Sequence, residues 1–162
     1  MISTVRSACC AVSLLALSLP AVAHHVGEMW QAGDLIVSHG WTYENATMEH
    51  AVNVYVTVEN QGDEPDRLIS AAVDFADRTG FQAQVLGADG TLEIRNIPAI
   101  QINAGQVLTL QPGAVWVELE SVHRTFEHGE HFDMTLTFEN AGSIEIEVEI
   151  EEEDGHDLDP NA

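Results

Sequence analysis

Histidine and methionine side chains at several places in the sequence could bind a metal ion. His24 and His25 are adjacent, and Met48 and His50 are separated by a single residue. Imidazole nitrogen and thioether sulfur are both good copper ligands, and imidazole also binds zinc. The sequence therefore predicts a candidate copper site made of His24, His25, Met48 and His50.

The first 23 residues, MISTVRSACCAVSLLALSLPAVA, have the pattern of a signal peptide. Arg6 supplies a short basic region, the apolar run is shorter than the ~20 residues of a spanning helix, and Ala21-Val22-Ala23 is a small-x-small cleavage site. We expect cleavage after Ala23, export to the periplasm and no membrane insertion afterwards; an uncleaved anchor is the alternative. Cleavage would free the amine of His24, which with an imidazole could chelate Cu(II).

Met48 and His50 precede a strand pattern that begins near Val52. If the chain is already extended there, both side chains project from the same face and form half of a copper site. A loop or a half-buried strand start is the alternative interpretation. A solvated chain end is the corresponding alternative for His24 and His25.

The remaining histidines fit no metal-site spacing. His123, His128 and His131 lie in SVHRTFEHGEHF, where Glu127-His128-Gly129 reads as a hairpin turn that directs its neighbours onto two strands. His39 and His156 stand alone. We expect all five to be polar surface groups.

Composition excludes several function classes. The chain has 27 acidic residues against five arginines and no lysine, for a net charge of −22. Such a surface repels nucleic acid and anionic lipid and favours cations or basic partners, although adaptation to salty surroundings would also explain it. Cys9 and Cys10 both lie in the leader, so the mature chain has no thiol for a disulfide or a metal. No catalytic motif is present, and we expect no enzyme.

The body of the chain has the pattern of a sandwich of short strands. Apolar and polar residues alternate in 52–58, 134–138 and 144–150, and turn signals lie at 60–63, 88–90, 103–105, 111–113, 127–129 and 140–142. A turn of helix is expected only at 74–78. This pattern predicts an all-β sandwich or small barrel. We divide the chain into a signal peptide (1–23), an N-terminal extension (24–33), one β-domain (34–150) and an acidic, disordered tail (151–162).

An ordered series of short motifs resembles one family, the periplasmic copper chaperones called PCuAC. The motifs are Trp41, the run YVTVENQG (55–62), DRL (66–68), DG (89–90), INAG (102–105), LTLQPG (108–113) and LTFENAG (136–142). The resemblance implies a cupredoxin-like Greek-key β-sandwich. It also implies delivery of copper to a partner such as cytochrome c oxidase or its assembly factors.

The resemblance further implies a copper motif of His, ten residues, Met, twenty-one residues and His-x-Met. In this sequence the four positions fall on Ala83, Ile94, Trp116 and Glu118, so every family ligand is replaced. If the alignment shifts by one residue, Gln84 takes the place of Ala83. If residues 115–119 form a strand, Trp116 and Glu118 project from one face, and Val115, Val117 and Leu119 project from the other.

Three hypotheses remain for the function, and the one that ranks far behind the other two is an unrecognised enzyme. In the first, an exported copper-binding protein resembling a copper chaperone has its ligands relocated to His24, His25, Met48 and His50. In the second, a metal-free β-sandwich is a partner-binding module that assists assembly of a respiratory or copper-handling complex.

Overall fold

Eleven β-strands form the regular secondary structure of the computed structural model, which describes residues 28–45 and 51–152. No helix occurs in these two ranges, so none is present that could span a membrane. The strands are β1 (Met29–Ala32), β2 (Leu35–Tyr43), β3 (Ala51–Asn60), β4 (Asp66–Ala72), β5 (Ala76–Leu86), β6 (Leu92–Ile97), β7 (Ile100–Ile102), β8 (Val107–Thr109), β9 (Val115–Val122), β10 (His131–Phe138) and β11 (Gly142–Glu151). The predicted all-β class is confirmed.

The strands are hydrogen-bonded in the order β6-β5-β9-β3-β2-β11-β10-β4-β7. Strand β3 belongs to both layers: its residues 51–54 pair with β9, and its second half pairs with β2 and β8. Strand β11 pairs with β2 in parallel, whereas the other named strand pairs are antiparallel. The predicted sandwich is therefore built around one long strand shared by its two sheets.

The hydrophobic core follows the period-two pattern of the sequence. Alternate residues of β3, β10 and β11 point inward and are buried: Val52, Val54, Val56, Val58, Phe132, Met134, Leu136, Phe138, Ile146, Val148 and Ile150. Each fully buried side chain of this size contributes roughly 1.5–3 kcal/mol through removal of apolar surface from water. Glu145 and Glu149, between the buried residues of β11, are exposed, as the alternation predicted.

Two local expectations differ from the structure. Residues 74–78 form no turn of helix, because β5 already begins at Ala76, which pairs with Val122 of β9. Strand β1 lies within the range assigned to the N-terminal extension, where Trp30 pairs with Val37. Strand β5 is stabilised by pairing with the distant strand β9, whereas β1 forms a tight hairpin with β2.

Candidate metal centre

The side chains of strand β9 alternate between its two faces, as the sequence predicts. Val117 and Leu119 are fully buried in the core, and Trp116 and Glu118 lie on the opposite face of the sheet. Trp116 is nevertheless only 6% exposed, although it is not a member of the core cluster. The tryptophan is therefore buried on the outer side of the sheet, away from the core.

The strand register shows which residues share that outer side. Cross-strand partners project from the same face, and here Gln82 is the partner of Trp116 while Gln84 is the partner of Ile94. Gly80 is the partner of Glu118. We call the surface formed by Gln82, Gln84, Ile94, Trp116 and Glu118 the motif face.

Ala83 does not belong to the motif face. Its partners are Arg95 on β6 and Val115 on β9, so its side chain projects toward the other side of the sheet. Three of the four positions that the family resemblance assigned therefore share a face, and Gln84 supplies the fourth. The one-residue shift follows from strand alternation, because neighbouring residues cannot share a face.

A hydrogen bond occupies the motif face. Gln82 Nε2 donates to Glu118 Oε2 over 2.6 Å in a partly buried position. Gln84 lies close to Gly113, where a Cβ atom would be 3.3 Å from Gln84 Oε1. Among the described residues, the indole Nε1 of Trp116 is the buried side-chain polar atom without a hydrogen-bond partner. An unsatisfied donor of this kind costs about 1–3 kcal/mol.

The donor types on the motif face do not suit Cu(I). A soft d¹⁰ ion prefers thioether, thiolate and imidazole, whereas this face offers amide and carboxylate oxygens. Ile94 and Trp116 have no side-chain ligand atom. Within 28–45 and 51–152, no three His, Cys, Asp or Glu residues come together as a metal site. The register thus places Gln84, Ile94, Trp116 and Glu118 on one face that offers no soft ligand.

The predicted ligands His24, His25, Met48 and His50 lie outside the described residues. The chain on either side of 46–50 is described. Asn45 is bridged to Phe126, and Ala51 pairs with Glu120, two residues along β9 from Glu118. The segment that contains Met48 and His50 is thus covalently joined to the strand next to the motif face.

The three histidines of the 123–131 region do not form a common centre. His123 Nε2 lies 2.9 Å from Asp77 Oδ1, whereas His131 Nε2 lies 3.6 Å from Glu147 Oε2. His128 is exposed in the turn between β9 and β10. The histidines therefore engage separate carboxylates or solvent, as the spacing indicated.

An aromatic cluster beside the motif face was not anticipated from the sequence. Trp41 contacts Tyr55 with a centroid distance of 4.4 Å and Tyr43 with one of 5.0 Å, and His39 lies 6.1 Å from Trp41. Tyr55 is buried, and desolvation raises the pKa of its phenol above 10.0, partly offset by a hydrogen bond with Asn53. The i, i+2 spacing of His39, Trp41 and Tyr43 was the available signal.

The cluster and the motif face lie on the same side of the sheet. Asn53, two residues before Tyr55 on β3, is the cross-strand partner of Glu118. Residues two apart on a strand project from the same face. The outer surface of this layer is therefore continuous from the aromatic cluster to Ile94.

Residues 35–150 match the family model described as LpqE-like lipoprotein. The chain belongs to this family. Its members are of the PCuAC type, so the predicted family resemblance is confirmed. A comparison with curated proteins found no match.

Solved structures give the same result for the fold. The apo PCuAC domain from PmoF1 is 26% identical, with a TM-score of 0.68 over 77% of this chain and 99% of that domain. The copper-bound PCuAC domain from PmoF2 is also 26% identical, with a TM-score of 0.67 over 77% and 98%. Apo-DR1885 from Deinococcus radiodurans, at 21% identity and a TM-score of 0.58 over 91% and 97%, shares the fold.

Proposed function

We propose that this LpqE-like protein is an exported copper-binding protein of the chaperone type, with its ligands at His24, His25, Met48 and His50. Similarity to PCuAC copper-chaperone domains supports a copper-binding, chaperone-like function. The observation that carries the relocation is the chemistry of the motif face, where Gln82 and Glu118 form a hydrogen bond in place of a soft ligand set. Copper binding therefore needs donors from elsewhere in the chain.

The four residues supply the donor types that the motif face lacks. Imidazole and thioether bind Cu(I), and a free terminal amine with an imidazole binds Cu(II). Ala51, directly after His50, pairs with Glu120 on β9, and this connection supports a position for Met48 and His50 near the motif face. Copper would then leave by ligand exchange with an acceptor protein.

Export to the periplasm is part of the proposal, because the proposed terminal ligand exists only after cleavage. The leader residues 1–23 carry the signal-peptide pattern, and cleavage after Ala23 makes His24 the first residue. The acceptor would be a copper protein such as cytochrome c oxidase or one of its assembly factors. A net charge of −22 favours an acceptor with a basic docking surface.

Copper titration of the processed chain tests the ligand assignment. The chain starting at His24 is titrated with Cu(I) and with Cu(II) against a competing chelator. Variants His24→Ala, His25→Ala, Met48→Leu and His50→Ala are then compared with His128→Ala, a matched control in an exposed turn. We expect each ligand variant to weaken copper binding at least about tenfold and the control to have no effect. Tight binding that survives all four changes would refute the assignment.

A metal-free partner-binding module is the second candidate. It is favoured by the Gln82–Glu118 hydrogen bond, which pairs these two side chains without a metal. The same titration separates the two candidates. If the processed wild-type chain binds neither Cu(I) nor Cu(II), the second function replaces the first.

A further inference from the structure

The end of the β5–β6 hairpin extends beyond the rest of its sheet. Its last backbone link to β9 is the hydrogen bond from Gln84 N to Ala114 O, at 2.8 Å. Farther out, Val85 pairs only with Glu93, and Leu86 pairs only with Leu92. None of residues 84–94 belongs to the core cluster. We call residues 84–94 the hairpin arm.

The hairpin arm presents a contiguous apolar surface to solvent. Leu86, Leu92 and Ile94 are 71%, 67% and 64% exposed. Leu86 and Leu92 are cross-strand partners, and Ile94 follows Leu92 by two residues on the same face. Single exposed aliphatic residues are ordinary, but adjacent ones on an otherwise acidic protein mark an interaction site.

The arm also offers an open strand edge. Strand β6 is the first in the strand order and, among residues 28–45 and 51–152, pairs only with β5, so no described strand lies on the other side of its backbone. Exposed edges are commonly protected by lysine or inward-pointing charges. On β6 the charges of Glu93 and Arg95 neutralise each other through a contact of 2.7 Å. The edge is therefore available for an added strand.

Charge selects the kind of occupant. A second copy of this chain would bring another net charge of −22 to the surface, and residues 151–162 of the same chain are themselves acidic. The arm carries the carboxylate of Asp89 at its turn. A complementary segment is basic, since like charges brought together in an interface are unfavourable.

We propose that the hairpin arm is a docking surface for a basic partner protein. An extended segment of that partner adds along β6, with aliphatic side chains against Leu92 and Ile94 and with lysine or arginine toward Asp89 at the turn. Strand addition of this kind gives affinity through the main chain and selectivity through alternate side chains. The surface is independent of copper binding, because no proposed copper ligand belongs to it.

Binding of short extended peptides to the copper-free processed chain tests this surface. The probes are a peptide of alternating lysine and valine and its twin of alternating glutamate and valine. The variant Leu92→Thr/Ile94→Thr keeps the charge and the strand preference but removes the aliphatic surface. Val107→Thr is the matched control, because Val107 is exposed on β8, outside the hairpin arm. Thermal unfolding checks that each variant is folded.

We expect the lysine peptide alone to bind, and the double variant to weaken it about tenfold, while the control changes affinity less than about twofold. In ¹⁵N spectra the indole resonance of Trp116 should shift more than those of Trp30 and Trp41, since Trp116 pairs with Gln82, two residues before the arm begins. Absence of peptide binding, equal effects of the two variants, or equal binding of the glutamate peptide would overturn the proposal. A dimer that sediments only when Leu92 and Ile94 are present would also overturn it, in favour of a second copy.

Discussion

Side chains alternate between two faces in both the β10–β11 hairpin and the β5–β6 hairpin, but the aliphatic residues are buried in the first and exposed at the end of the second. In β10–β11 the inward residues, such as Leu136 and Ile146, are fully buried by the facing sheet. In β5–β6 the aliphatic residues Leu92 and Ile94 lie on the outer side and remain exposed. A strand pattern therefore defines which side chains share a face, whereas the neighbouring layer determines whether that face becomes core or surface.

The comparison also explains why substitutions on the outer side of β5, β6 and β9 leave the core intact. Gln84, Ile94, Trp116 and Glu118 occupy the family's ligand positions on a side of the sheet that does not support the core. Substitutions there alter chemistry without removing buried apolar volume from the sandwich. The family fold could persist after its copper motif was lost because the motif and the core occupy opposite faces.

The largest expected effect is a difference in stability between equivalent leucines of the two hairpins. Leu136→Ala should lower the free energy of unfolding by about 2–5 kcal/mol, because it leaves a cavity in the core. Leu92→Ala should change it by less than about 0.5 kcal/mol, since that side chain is 67% exposed. Urea denaturation measures both. Similar losses for the two variants would show that the arm is packed in solution and would contradict the comparison.

The next effect concerns copper binding on the motif face. Combining Gln84→His with Ile94→Met, Trp116→His and Glu118→Met places imidazoles and thioethers on one side of the sheet. Ala83→His in place of Gln84→His sends the first imidazole to the other side. We expect the Gln84 version to bind Cu(I) at least about tenfold more tightly, because only there do all four soft donors project from one face of the sheet.

A competition assay with a Cu(I) chelator gives this comparison most clearly when His24, His25, Met48 and His50 are first replaced. Binding by the relocated ligands is then absent from both versions. Equal affinities would mean that the register around residue 83 changes when the ligands are restored. Circular dichroism provides the control that both versions keep the strand content of the parent chain.

Much of the architecture could be predicted from sequence because its signals are local. The alternation in 144–150 predicted the buried Ile146, Val148 and Ile150, and turn signals such as Asn103-Ala104-Gly105 lie between the observed strands. The family resemblance added the sandwich topology, which local patterns cannot supply. Sequence thus predicted the strands and, through the resemblance, their arrangement as a sandwich.

The details of the site depend on the register between strands, which local patterns in one sequence do not reveal. Counting along the chain selected Ala83, whereas the pairing of Gln84 with Ile94 selects its neighbour. The contact between Trp41 and Tyr55 likewise depends on the register between β2 and β3. The proposed ligands His24, His25, Met48 and His50 remain predictions.

A smaller effect is expected from the buried phenol beside the motif face. Burial raises the pKa of Tyr55, so the folded protein favours the neutral phenol more than the unfolded chain does. This contribution to stability is complete below pH ~10 and is lost as the pH rises through the folded pKa. Tyr55→Phe should therefore reduce the alkaline decline in the free energy of unfolding. Ultraviolet titration of tyrosinate measures the pKa of Tyr55, with Tyr43→Phe as control. If the free energy of unfolding of Tyr55→Phe declined at alkaline pH as much as that of the wild-type chain, the prediction would be contradicted.

The smallest effect belongs to the turn of the hairpin arm. Hydrogen bonds from Thr91 Oγ1 at 2.6 Å and from Thr91 N at 3.0 Å hold the pKa of Asp89 below 3.8. A lowered carboxyl pKa stabilises the fold above the unfolded pKa, and that stabilisation is lost as the pH falls through the folded value. Thr91→Val removes the hydroxyl but keeps the backbone donor, so the pKa should rise only part of the way toward 3.8. Carboxyl ¹³C titration of Asp89 in the wild-type chain and in the variant measures the change. An unmoved Asp89 resonance would show that the arm turn is not formed in solution, whereas the expected shift would show that the exposed hairpin holds its own geometry without support from the core.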